Sequence, residues 1–147
     1  MRGTVTWFLL AGVLLASDDA NCDAIKAETK NLEDTWVVES VVRDPREKGP
    51  NEGQGIRCVI KSDKALAYLP GQTQPAGTLA IKFDPTKAPK TLDLKPEGEQ
   101  DTVVAIYELK DDTLRVCSAP LGKPRPNELS AKAGTGQSLV VLKRHKP

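Results

Sequence analysis

Few side chains in this 147-residue chain carry reactive groups, and their spacing argues against most catalytic chemistry. The single histidine, His145, stands in the C-terminal tail. A zinc centre needs several convergent ligands, and a Ser-His-Asp triad or Cys–His dyad needs an imidazole held beside its nucleophile. A solvated tail histidine supplies neither. Three cysteines, Cys22, Cys58 and Cys117, leave one possible bridge and one thiol over. Alternation puts Cys58 on a strand face with Ile56 and Ile60, and Cys117 opposite Leu114 and Val116. One thiol then points inward and the other outward, whereas a disulfide needs close, facing β-carbons; free thiols are expected. Gly134-Thr135-Gly136 lacks the strand and helix that frame a phosphate loop, so it reads as a hairpin turn. The acidic pairs Asp18-Asp19 and Asp111-Asp112 fall in a leader junction and a turn, where solvation is expected. Asp93 and Glu108 alternate with apolar residues and read as outer-face groups, leaving no inward carboxylate pair for hydrolysis. No catalytic residue, metal set or cofactor is therefore expected. Arg125, in a basic, proline-stiffened loop at 120–132, is the candidate contact for an anionic group; a solvated connection is the alternative.

The bulk numbers narrow the classes further. The length fits one domain. With 21 basic against 20 acidic residues, interspersed along the chain, no basic stripe exists to dock a phosphate backbone, and nucleic acid is not an expected partner. Arg2 followed by the apolar run VTWFLLAGVLLA reads as a secretory leader over residues 1–20, cut between Ala16 and Ala20. The run is about a dozen residues, short of the roughly 20 that span a bilayer, so no retained membrane span is expected. Asp19-Ala20-Asn21 before Cys22 does not suit lipid attachment to that cysteine.

The elements that would position these residues follow from periodicity. Residues 23–33 place Ala24, Ala27 and Leu32 near helical spacing, which predicts one short helix. Period two dominates afterwards. Strands are predicted at 35–43, 56–61, 65–69, 78–83, 91–95, 102–109, 113–118 and 138–144. In the first of these Trp36, Val38, Ser40 and Val42 share a face. Gly, Pro and Asp fill the connections, and the 11 prolines fall almost wholly there, as ladder chemistry requires. Eight short strands in series predict an all-β, eight-stranded antiparallel up-and-down barrel over 23–147, with a β-sandwich as the alternative. Closure would remove the exposed edges that an open sheet must protect.

The order of segments resembles a small family of exported, lipocalin-like domains of unknown function, abundant in planctomycete bacteria. Leu32-Glu33-Asp34-Thr35-Trp36 is similar to that family's L-x-G-T-W opening, with Asp34 where glycine is usual. Asp84-Pro85-Thr86-Lys87-Ala88-Pro89-Lys90 resembles its D-P-T-K-x-P-K segment. Ile106-Tyr107-Glu108-Leu109, Gly122-Lys123-Pro124-Arg125-Pro126 and Val141-Leu142-Lys143-Arg144 follow in the same order. The resemblance implies that Trp36 plugs one end of the barrel and that Arg144 or Lys143 lies over its ring.

An eight-stranded interior is just wide enough to be filled or to hold one small ligand. Its lining here is mostly Val, Ile and Leu, and a filled or narrow interior is slightly favoured. The expectation is an exported, non-enzymatic domain, periplasmic or extracellular, that binds a small apolar ligand. The alternative is a structural or protein-interaction module of the cell envelope.

Overall fold

The computed structural model describes residues 16–43 and 53–146, the side chains of 16–19 excepted. The leader assigned to 1–20 thus lies mostly outside the described residues, as does most of the connection at 44–55. One helix, α1 (Ala16–Leu32), precedes eight strands: β1 (Asp34–Arg43), β2 (Arg57–Lys61), β3 (Lys64–Tyr68), β4 (Gly77–Asp84), β5 (Thr91–Pro96), β6 (Val103–Lys110), β7 (Thr113–Ser118) and β8 (Ser138–Arg144). Each strand pairs antiparallel with the next, and β8 returns to β1, closing the sheet into a barrel rather than a sandwich. This is a lipocalin-like up-and-down architecture.

Local chemistry explains the hairpins. β2–β3 and β6–β7 turn through two residues, Ser62-Asp63 and Asp111-Asp112. The first of each pair takes positive φ, 55° at Ser62 and 53° at Asp111, matching the twist of the flanking strands. These turns, the β4–β5 connection and the end of β8 lie at one end of the barrel, which α1 caps. The opposite end, the open end among the described residues, carries the β3–β4, β5–β6 and β7–β8 connections, and Gly53 of the β1–β2 connection lies against Val41 and Ile56 there.

The helix differs from expectation in extent and in face. It is described from Ala16, upstream of position 23, and crosses the expected cleavage region. Ala24 and Ala27 are exposed; Ile25, Glu28, Thr29 and Leu32 face the barrel instead. The 25/28/29/32 spacing is a single helical stripe, and its last member, Leu32, is fully buried in the barrel core.

β1 also departs from strict alternation. Val38 pairs with Leu142 and Ser40 with Val141, so Glu39 is an extra residue, a β-bulge. Past the bulge the faces exchange. Val41 packs against the core, whereas Val42, expected inward with Trp36 and Val38, is 48% exposed. A one-residue slip moves every later side chain to the other face.

The core fills the capped half. Trp36, Ile60, Ile81, Phe83, Leu92, Tyr107, Leu114 and Leu142 are buried there beneath Leu32. Phe83 and Tyr107 meet edge to face, centroids 5.0 Å apart, a geometry that aligns ring edge with ring face.

Candidate functional site

The inward side chains are graded along the barrel axis. On six strands the residue nearer the capped end is buried and the one nearer the open end is half-buried: Val38 then Val41, Ile60 then Ile56, Ile81 then Leu79, Leu92 then Leu94, Leu114 then Val116, Leu142 then Val140. The half-buried set makes an aliphatic lining at that end of the barrel interior, the cup, with Gly53 against Val41 and Ile56. Cys58 lies beside it, half-buried, its thiol pushed above the usual range by burial. Such a lining can remove apolar surface of a guest from water but offers no charge to anchor it. The exposed large hydrophobics among the described residues, Val42, Leu69 and Leu121, sit at the same end, beyond or at the ends of β1, β3 and β7.

The capped end is held by polar pairs around aromatic rings. Trp36 Nε1 donates to the Leu32 carbonyl at 2.9 Å, stitching helix to strand. The Arg144 guanidinium lies 4.5 Å from the Trp36 ring centroid; Lys143 points elsewhere, to Thr113 Oγ1 at 2.7 Å. Arg144 also donates to Asp34 Oδ2 at 2.8 Å and to Asp112 Oδ1 at 3.1 Å. Asp34, where the resembled pattern has glycine, thus has two tasks, since its other oxygen accepts from the Thr35 amide at 2.7 Å. Hydrogen bonds from Arg144 and Thr35 hold the Asp34 carboxyl below its ordinary range. Asp112 is lowered as well, first by Lys146 and then by Arg144. The expectation that this turn pair is merely solvated is therefore corrected for Asp112. The His145 side chain is exposed.

Sequence reasoning missed a second cluster. Glu28 on α1 accepts from Lys90 Nζ at 2.9 Å and from Tyr107 Oη at 3.0 Å. Burial, reinforced by the Glu28 carboxylate, pushes the Tyr107 phenol far above its usual range. The only available signal was the 25/28/29/32 stripe, which puts Glu28 on the docked face.

Arg125 meets a carboxylate, but one of this chain. Its guanidinium donates to Asp93 Oδ1 at 2.7 Å, to the Ala105 carbonyl at 2.7 Å and to the Leu92 carbonyl at 3.3 Å. Leu92 and Ala105 are register partners across β5 and β6, so Arg125 clips the two strands from outside. The segment at 119–137 is consequently a strap across the outer wall rather than a free loop. Beneath it Ile106 and Cys117, both outward-facing, are 1% and 0% exposed, and Pro126 is buried. The Cys117 thiol donates to the Ser130 carbonyl at 3.4 Å, and burial raises its pKa. A close approach fixes the end of the strap. Gly136 has φ +67°, and a Cβ there would fall 2.8 Å from Pro120 Cγ. Asp93 and Glu108 are both on the outer face, Glu108 3.8 Å from Arg115. All three cysteines are free.

Among the described residues no group of His, Cys, Asp or Glu is placed to hold a metal ion, and no helix is long and apolar enough to cross a membrane. No family model matches the chain, and comparison with curated proteins and with solved structures finds no significant match.

Proposed function

We propose that the chain is an exported, non-enzymatic lipocalin-like barrel domain that holds a small apolar molecule in the cup at its open end. The observation that carries this reading is the axial grading of burial: six inward aliphatics stay half-buried at one end of a barrel whose other half is filled. Apolar surface left partly in water costs roughly 25 cal/mol per Å², and a guest seated there would recover part of it. The leader-like N-terminus supports export. The best-placed charged groups, Arg125, Arg144 and Glu28, are all engaged in pairs that hold the fold, which supports binding over catalysis.

Titration with an environment-sensitive apolar fluorophore tests the proposal. Saturable binding of one probe per chain is expected. The cup-filling variant Val116→Phe should weaken it at least tenfold while the β-sheet circular dichroism is unchanged. Absence of saturation, or an affinity indifferent to Val116→Phe, would overturn the reading.

A second reading, a protein-interaction module of the cell envelope, is favoured by the gathering of Val42, Leu69 and Leu121 at the open rim. Photo-crosslinking from position 121 in the exporting cell separates the two. A single discrete protein adduct supports the module; lipid or small-molecule adducts support the cup.

A further inference from the structure

The cleft between α1 and the capped end of the barrel has a chemistry the open cup lacks. Its floor is Ile25 of the helix together with Ile81 and Phe83, two β4 side chains that belong to the barrel core. It is an open cleft of about 450 Å³, within the range of small-molecule sites. Lys26 and Lys30, one helical turn apart, stand on one wall, and Lys82 on the outer face of β4 stands on the other. Among the described residues Lys26 and Lys30 have no ion-pair or hydrogen-bond partner, and Lys82 interacts only with the neighbouring field of Asp84. Two carboxylates share the rim. Glu33 accepts from the Ser62 amide at 3.0 Å and keeps its charge; Asp63 is the second acid. Three ammonium groups therefore face two carboxylates above an apolar floor, an excess of one positive charge. Lysine stems lie readily along such a floor while their heads stay in water.

We infer that this cleft is a second binding site, for a linear amphiphile with an anionic head. The tail lies against Ile25, Ile81 and Phe83, and the head sits among Lys26, Lys30 and Lys82. The site is at the opposite end of the barrel from the proposed cup and, unlike it, selects for charge. Among the described residues the exposed Lys26 and Lys30 side chains make no hydrogen bond or ion pair, so their replacement should leave the barrel intact.

Dodecanoate below its aggregation concentration is the probe, titrated into the purified native protein by calorimetry and followed by amide chemical shifts. One-to-one saturation is expected, with shifts concentrated in α1 and β4. The double variant Lys26→Glu/Lys30→Glu should bind dodecanoate at least tenfold more weakly with unchanged near-ultraviolet circular dichroism. Dodecanol, with the same tail and no charge, should bind at least tenfold more weakly to the native protein, and acetate should not saturate. Val116→Phe should leave dodecanoate affinity unchanged. No saturation overturns the inference. So does binding lost in Val116→Phe and indifferent to the lysine variant, because that result seats dodecanoate in the open cup and leaves the first reading standing. Failure of the fluorophore experiment with dodecanoate behaving as expected overturns the cup and leaves this cleft.

Discussion

Arg144 joins three separated pieces of chain through one guanidinium: Asp34 and the Trp36 ring of β1, Asp112 in the β6–β7 turn and the Asn31 carbonyl of α1. Stacking on indole contributes about 0.5–2 kcal/mol; the Asp34 pair, half in water, adds no more than about 1 kcal/mol. Arg144→Ala should lower unfolding free energy by about 2 kcal/mol in urea titrations. The effect should depend on acid. Asp34 and Asp112 have folded pKa values below the ordinary 3.8, so the unfolded chain binds more protons between the folded and ordinary values. Their contribution is complete above about pH 4 and is lost as pH falls through the lowered values. The fall of thermal midpoint between pH 5 and pH 2 should be shallower in Arg144→Ala than in the parent. Tyr107 gives the opposite limb. Its folded pKa is raised, so its contribution is full below about pH 10 and lost above it, as the unfolded phenol ionises. Tyr107→Phe should flatten the alkaline decline of the midpoint. The Trp36–Arg144 pairing was legible through the resemblance. The partners of Asp112 and Glu28 were not, because a turn acid or helix acid looks the same in sequence whether it is solvated or meets a cation brought close by the fold.

At the scale of elements, most strands fall within a residue or two of their expected positions, because alternation and turn residues are local signals. β7 and β8 coincide with the expected 113–118 and 138–144. Besides the extent and face of the helix, two misreadings, the bulge at Glu39 and the strap at 119–137, are decided by partners far away in sequence: β8 for one, β5 and β6 for the other. Arg125→Ala tests the strap. It removes a charge-assisted clip to Asp93 and to two sheet carbonyls, and hydrogen bonds to charged groups carry more than neutral ones. The barrel should survive, losing about 1–2 kcal/mol. Cys117 should then react with a thiol reagent at least tenfold faster, measured by mass spectrometry of labelled peptides, while exposed Cys22 reacts quickly in both proteins. An unchanged Cys117 rate would show that Arg125 does not hold the strap down.

For the whole molecule, inward and outward alternation made the cylinder legible but not its axial gradient, because alternation specifies a face and not a depth. Closure brings β1 beside β8, with Trp36 paired to Arg144 across nearly the whole length of the described chain. Contacts of such long sequence separation form slowly, since the loop entropy is spent before any pairing is gained. The first strand therefore has one flank without its partner until the last is delivered. Removing residues 138–147 should accordingly yield no cooperative urea transition by circular dichroism, whereas a version lacking only 145–147 should retain one. The same seam makes the C-terminal strand the clasp of the molecule.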